Sequence, residues 1–173
     1  MLNKLHKRLA STLLLGVIPL FLAACGFHLR GTIDVPAALK ETRIVGVAEF
    51  APLTLELKKV LTNAGSRVLP AATPASSTIT ISKELYERRV LSVDAQGRVA
   101  EYALVYSFYF QVNDASGAIM VPNQKIELTR DYRFDPNNVL AKDAEEAQIR
   151  SDMISFAVRQ LMRRVDAASR KKS

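Results

Sequence analysis

The sequence predicts an α+β fold: a two-layer sandwich in which two helices cover one face of a mostly antiparallel four-stranded sheet. Three observations predict it. Apolar residues alternate through 102–112, tight turns at 94–98 and 113–117 join this stretch to its neighbours, and helical periodicity occurs once before and once after these strands. Two tight turns between three consecutive strands make an antiparallel meander, and helices on one side of a sheet share its core. The predicted element order is therefore β-α-β-β-β-α.

The first 24 residues have the order of an export signal. Lys4, Lys7 and Arg8 precede an uncharged apolar run from Leu9 to Leu22. This run has 14 residues, which is fewer than the roughly 18 that a membrane span needs. Residues 1–24 are therefore predicted to be a cleaved signal peptide and not a retained span.

The only cysteine of the chain closes this run, in the sequence Leu22-Ala23-Ala24-Cys25. The pattern resembles the bacterial lipobox, in which the thiol is diacylated, the chain is cut before the cysteine and the new amino group is acylated. Several acyl chains anchor a protein firmly, whereas one binds only marginally. Cys25 is thus predicted to carry a lipid anchor, the alternative being a free buried cysteine. Because Gly26 and not aspartate follows it, we expect the periplasmic side of the outer membrane.

Charge and composition limit the partners. Loss of Lys4, Lys7 and Arg8 lowers the net charge from +7 to +4, since 21 basic residues then stand against 17 acidic ones. An exported lipoprotein is expected to have no nucleic-acid partner, so a basic patch would face phosphate or carboxylate groups of an envelope lipid. Scattered, solvated charges are the alternative.

These patterns predict the domain organisation: a signal peptide (1–24), a lipidated tether (25–41), a single α+β domain (42–166) and a frayed tail (167–173). The domain opens with a strand at 43–47. A helix begins at Pro52 and ends at Gly65, which can take the left-handed conformation of a helix stop. Its apolar positions have helical spacing. They are Leu53, Leu57, Val60, Leu61 and Ala64. Residues 67–69 have the composition of a short edge strand.

The next three strands form the meander. The first, 78–93, loses its alternation after Ile81, which indicates a bulge or an exposed half. The second has one strongly apolar face, and the third runs from Lys125 to Phe134. Inward positions on the second strand are Tyr102, Leu104, Tyr106, Phe108, Phe110 and Val112. Its opposite face is also unusually apolar, which suggests that it is covered as well.

The last helix is predicted to begin with a capping box. Asp143 has the N-cap position, and Glu146 follows three residues later. Both lie before a stripe of apolar residues at helical spacing, which includes Ile149, Met153 and Ala157.

No arrangement typical of catalysis is present, so the chain is predicted not to be an enzyme and to need no cofactor or metal. The predicted mature chain has one histidine, His28, in the tether. No serine lies in a Gly-x-Ser-x-Gly turn. Glu145 and Glu146 are adjacent on a helix and point about 100° apart.

Three segments carry a resemblance to a known family. They are CGFHLR at 25–30, SVDAQGRVAEY at 92–102 and LAKDAEE at 140–146. Together they are similar to the lipopolysaccharide-assembly lipoprotein family LptE. The resemblance implies an α+β sandwich inside the lumen of the outer-membrane β-barrel LptD, where the lipoprotein helps the barrel assemble, plugs it and binds lipopolysaccharide.

The family's proposed lipopolysaccharide contacts are two basic residues, one in the turn between the second and third strands and one in the loop before the last helix. Lys142 matches the second. Ala95 stands at the first position, and Arg98 in the same turn is the candidate substitute.

Two hypotheses of function follow. One is a transport subunit bound to the barrel, favoured by the lipid anchor and the two-sided apolar strand. The other is a free-standing lipoprotein that binds another envelope ligand, such as peptidoglycan. Co-purification with a β-barrel would separate them.

Overall fold

The computed structural model describes residues 39–73 and 77–171. The elements are β1 (Glu41–Val45), α1 (Pro52–Asn63), β2 (Arg67–Leu69), β3 (Ser77–Val93), β4 (Val99–Asn113), β5 (Ile119–Arg133) and α2 (Val139–Arg170). The strands form one sheet in the order β2-β1-β3-β4-β5. The α+β class is confirmed, with five strands in place of the predicted four. The additional strand is β2, which pairs in parallel with β1 at the sheet edge.

The signal peptide, Cys25 and the greater part of the predicted tether lie outside the described residues. The tether boundary at 41 is too late, because Leu39 is fully buried in the core. Its carbonyl oxygen accepts hydrogen bonds from the hydroxyl groups of Thr42 and Ser66, at 2.9 Å and 2.5 Å. Within the described ranges, no helix has both the length and the apolarity that crossing a membrane requires.

Both ends of α1 agree with the local sequence signals. Pro52 occupies the first turn, where its missing N–H costs nothing. At the other end Gly65 has φ +85°. The amide of Gly65 donates to the Thr62 carbonyl at 3.0 Å, and the amide of Ser66 donates to the Leu61 carbonyl at 2.9 Å. These two bonds make a Schellman motif, which satisfies carbonyl groups at the helix end.

Strands β3, β4 and β5 form the predicted antiparallel meander. The expected bulge in β3 lies between Ser82 and Leu85, where Lys83 has φ 53°. β5 begins at Ile119, six residues before the predicted start at Lys125. Pro122 interrupts the sequence signal there, but a proline is tolerated in an edge strand, where its missing N–H faces no partner.

One core lies between the sheet and the two helices. All the predicted inward positions of β4 are fully buried except Tyr102, which is partly buried. On the opposite face Val105 and Ser107 are also buried. Their cross-strand partners include Glu87 and Glu127, so side chains of the neighbouring strands flank these two small residues.

The predicted capping box at Asp143 and Glu146 is wrong. The N-cap residue of α2 is Asn138, five residues before Asp143, and it makes no side-chain capping bond. The helix itself begins at Val139. The amide of Lys142 already donates to the Asn138 carbonyl at 3.0 Å, so the helical ladder is established before Asp143. The helix continues to Arg170, so it includes the first four residues of the predicted tail 167–173.

Candidate functional site

The two predicted ligand contacts lie at the same end of the sheet. Arg98 belongs to the turn between β3 and β4, and Glu101 just beyond that turn pairs with Arg133 at the end of β5. The amide of Phe134 donates to the Ala100 carbonyl at 2.9 Å. The chain then enters α2 within a few residues, which brings Lys142 to this end. We call the β3–β4 turn and the first turn of α2 the sheet-end surface.

Arg98 is held by the turn that carries it. Its guanidinium Nε donates to Asp94 Oδ2 at 2.8 Å, while the amides of Gln96 and Arg98 both donate to Asp94 Oδ1 at 2.9 Å. The backbone bond from Arg98 is the main cause that lowers the pKa of the Asp94 carboxyl below its ordinary value. The Arg98 side chain remains 64% exposed. A cation is therefore presented from an ordered turn, and Ala95 contributes none.

Lys142 lies in the first turn of α2, and not in the loop before it as expected. Its Nζ pairs with Glu145 Oε2 at 2.7 Å and lies 5.6 Å from the centre of the Tyr132 ring. The Tyr132 hydroxyl donates to the Lys142 carbonyl at 2.6 Å. Only 20% of the Lys142 side chain is exposed, so its ammonium group is more constrained than that of a solvated lysine.

An open groove of about 760 Å³ lies between the start of α1, the second half of β3 and α2. Its floor holds an ionic cluster that the sequence did not predict. Glu146 accepts hydrogen bonds from the Tyr86 hydroxyl at 3.0 Å and from Arg88 at 3.1 Å. The Arg150 guanidinium carbon lies 4.6 Å from the Tyr86 ring centre. Burial, followed by the bond to Glu146, raises the pKa of Tyr86 to about 12.

Aromatic rings connect this groove to the sheet-end surface. The Arg88 guanidinium carbon lies 4.7 Å from the Tyr102 ring centre, and Tyr102 stacks on Tyr132 with centroids 6.4 Å apart. Tyr132 in turn contacts Lys142. The two rings therefore connect Arg88 of the groove with Lys142 of the sheet end.

Two features of the sequence hide the groove cluster. Glu146 fits the pattern of a capping box, which accounts for it without any other role. The bulge hid the alternation of β3, because Tyr86 and Arg88 face inward only after the shift of register. The usable signal was the helical spacing of Glu146 and Arg150, which places them on one face of α2.

The chemistry available here is recognition of charged and polar groups. Among residues 39–73 and 77–171, no cluster of three or more His, Cys, Asp or Glu side chains could hold a metal ion. The surface instead offers guanidinium and ammonium donors beside aromatic rings. Such donors suit phosphate or carboxylate ligands.

The family and its members support this interpretation. The model of the family LptE, described as lipopolysaccharide-assembly, matches residues 32–165. The LPS-assembly lipoprotein LptE of Photorhabdus laumondii is 31% identical over 154 residues, which cover 89% of this chain and 84% of that protein. The protein of the same name from Pectobacterium atrosepticum is 31% identical over 160 residues, covering 89% and 83%.

Solved lipoproteins share the fold. The solution structure of an uncharacterized lipoprotein B from Nitrosomonas europaea has a TM-score of 0.66 and 33% identity, and covers 82% of this chain and 91% of that one. The rare lipoprotein B of Shewanella oneidensis also has a TM-score of 0.66, at 24% identity, covering 76% and 97%. The role of this family in lipopolysaccharide assembly is non-enzymatic, which confirms the prediction that the chain is not an enzyme. The chain is a lipoprotein that belongs to the LptE family of lipopolysaccharide assembly.

Proposed function

We propose that this chain is the outer-membrane lipoprotein subunit of the lipopolysaccharide export machinery, that it assists and plugs the barrel protein LptD, and that its sheet-end surface binds lipopolysaccharide. The observation that carries the ligand contact is the convergence of Arg98 and Lys142 at one end of the sheet. The family resemblance supports the barrel partner, and Gly26 after the lipobox supports the outer membrane.

Charge and geometry favour a phosphate ligand at this surface. An exposed ion pair in water contributes only about 0–1 kcal/mol, so the pair of the exposed Arg98 with Asp94 costs little to exchange for another anion. Lys142 is more enclosed, but its partner Glu145 is half-exposed and can turn to water when another anion takes its place. Hydrogen bonds between charged groups are roughly twice as strong as neutral ones. The phosphates of lipid A can therefore compete for both cations while Asp94 and Glu145 remain solvated.

Neutralising both cations should weaken lipopolysaccharide binding. We expect the double variant Arg98→Gln and Lys142→Gln to bind at least about tenfold more weakly, because a hydrogen bond to a charged group contributes about 1.5–3 kcal/mol and 1.4 kcal/mol is tenfold. Glutamine is preferred to aspartate, which would repel Asp94 and Glu145. The measurement is the affinity of the purified full-length protein for immobilised lipopolysaccharide, and raised salt should weaken the wild type too.

A matched control removes two charges elsewhere. Arg67 and Lys58 are paired with Glu41 and Glu49. Arg67 lies at the end of the sheet where β1 and β3 begin, which is the end opposite to the β3–β4 turn. Arg67→Gln with Lys58→Gln should leave binding almost unchanged. Equal losses in the two double variants would indicate attraction by net charge alone and would contradict a site at the sheet end.

The lipid anchor is tested at Cys25. A Cys25→Ser protein should incorporate no palmitate and should leave the membrane fraction, because it lacks the thiol that is acylated. Inhibition of the lipoprotein signal peptidase should make an uncleaved, lipidated form of the wild type accumulate. If the wild-type chain takes up no labelled palmitate in the producing bacterium, the proposed anchor is wrong.

The barrel partner is tested by purification from the producing bacterium. The tagged lipoprotein, extracted in mild non-ionic detergent, should retain LptD through washes at high salt. A second lipoprotein of the same outer membrane, tagged in the same way, serves as the control for non-specific capture. Recovery of peptidoglycan fragments without LptD would favour the free-standing lipoprotein instead.

A further inference from the structure

Three arginines surround one aromatic ring on the side of α2 that packs against β5. Arg159 and Arg163 belong to α2 and Arg130 belongs to β5. Their guanidinium carbons lie 5.7, 5.7 and 5.9 Å from the centre of the Phe156 ring. All three distances are within the range of a cation–π contact. Phe156 itself is 37% exposed. We call these four residues the arginine cluster.

The arginine cluster has no counter-charge within the chain as described. Among residues 39–73 and 77–171, no carboxylate pairs with any of the three guanidinium groups, and Arg130 donates only to the Thr129 carbonyl, at 3.3 Å. Other arginines of the same structure do have carboxylate partners, among them Arg67, Arg98 and Arg170.

The helix sequence explains this lack of partners. Arg159 and Arg163 are spaced i, i+4, where like charges destabilise a helix. The acid nearest along the helix face is Asp166, and it pairs with Arg170 at 2.9 Å. All three cations lie within 5.9 Å of one point, and this is well inside the Debye length of about 10 Å at 0.1 M salt. Their fields therefore add at the Phe156 ring.

Packing of arginine side chains does not explain why three guanidinium groups surround the Phe156 ring. One guanidinium would be enough to cover a partly exposed ring. Arg164 shows how an arginine of α2 packs against the sheet. Its guanidinium donates to the Gln124 side chain at 2.8 Å and to the Lys125 carbonyl at 2.9 Å. The three arginines of the cluster instead leave nearly all of their donors available.

The chemistry of the cluster selects the ligand. A carboxylate occupies one guanidinium fork, whereas a phosphate group presents several acceptor oxygens and up to two charges, and so can engage more than one arginine. The exposed part of the Phe156 ring adds an apolar contact beside these donors. We propose that Arg130, Arg159 and Arg163 form a phosphate-binding site, with Phe156 as its apolar floor, that takes a phosphorylated amphiphile.

This site is separate from the sheet-end surface. Arg159 follows Lys142 by 17 residues on one helix, which at 1.5 Å per residue is about 25 Å. Its existence does not depend on the proposed lipopolysaccharide contacts, and Arg98 and Lys142 can stay intact throughout its test.

Phosphorus NMR of the full-length protein in non-ionic detergent micelles provides the test. We expect phosphatidic acid in the micelles to show saturable line broadening, and phosphatidylcholine, which has no net charge, to show none. The double variant Arg159→Gln and Arg163→Gln should bind phosphatidic acid at least about tenfold more weakly. Phe156→Ser should weaken the binding of phosphatidic acid but leave the binding of inorganic phosphate unchanged.

The matched control is Arg67→Gln with Lys59→Gln, which removes the same charge from two cations that lie outside α2 and have carboxylate partners. It should bind as the wild type does, and all variants should keep the wild-type denaturation midpoint because the changed side chains are exposed. If the control variant binds equally weakly, attraction by net charge and not a specific site explains the binding.

If inorganic phosphate binds as tightly as phosphatidic acid, the proposal that the ligand is an amphiphile is wrong. Displacement of phosphatidic acid by a glutamate-rich peptide at lower concentration would overturn it in favour of an acidic protein partner.

Discussion

Replacing Phe108 by alanine should lower the free energy of unfolding by about 3–5 kcal/mol, the usual cost of a large-to-small change in a packed core. Phe108 is fully buried at the middle of β4. Its ring has edge contacts with Tyr106 and Phe110, with centroids 5.9 and 6.4 Å away. A domain has about 5–15 kcal/mol of stability in total, so the variant should unfold at a much lower denaturant concentration.

Phe50 provides the control, because it is 79% exposed in the loop before α1. Phe50→Ala removes the same atoms and should cost little, as surface changes usually stay within about 0.5 kcal/mol. The measurement is the chemical denaturation curve of each variant. If the two alanine variants share one midpoint, β4 presents its other face to the core.

The parts of the fold that were predicted correctly are those whose signal is local. The inward face of β4 follows from strict alternation, and both ends of α1 follow from Pro52 and Gly65. No distant residue is needed to specify these features. Binary pattern and turn chemistry agree at these positions, and such agreement is what makes a local prediction dependable.

The errors occur where distant partners decide the outcome. Residues 67–69 have the composition of an edge strand, but three residues are too few to count as one with certainty from sequence, so the predicted number of strands is four; β1 offers the free edge that makes them a fifth. Pro122 argues locally against a strand, yet β5 includes it at an open edge. The pattern of Asp143 and Glu146 satisfies a capping box, but the turn at 135–138 had already begun the helix. In each case tertiary context overrides a correct local signal.

The candidate site divides in the same way. Arg98 and Lys142 could be placed at one end of the sheet because a meander fixes the positions of its turns. The groove cluster of Tyr86, Arg88, Glu146 and Arg150 could not, because it depends on the register of β3 after its bulge. A shift of one residue moves every following side chain to the opposite face, and the sequence does not state where the shift occurs.

Gly46 should be the most sensitive glycine of the described chain. Its φ is +87°, and a Cβ atom added there would lie 2.0 Å from the Ile81 carbonyl oxygen. This is a backbone atom of the central strand, so it cannot rotate away as a side chain can. We therefore expect Gly46→Ala to destabilise the protein by more than about 3 kcal/mol, because a left-handed alanine alone costs about 1–2 kcal/mol and the displaced strand adds to it.

Gly65→Ala and Gly117→Ala separate the two causes. Both glycines have a φ similar to that of Gly46, at +85° and +87°, but a Cβ added at either meets no atom within 4 Å. These controls should show only the cost of the left-handed conformation. Gly46 lies against the backbone of β3 at Ile81, directly before the bulge after which Tyr86 faces the groove. Displacement of β3 at this point should therefore also weaken the hydrogen bond between Tyr86 and Glu146. The test compares denaturation midpoints, together with the phenolate titration of Tyr86, whose raised pKa should fall towards 10 only in the Gly46 variant. An equal loss of stability in all three variants would mean that β1 leaves the sheet without this close approach.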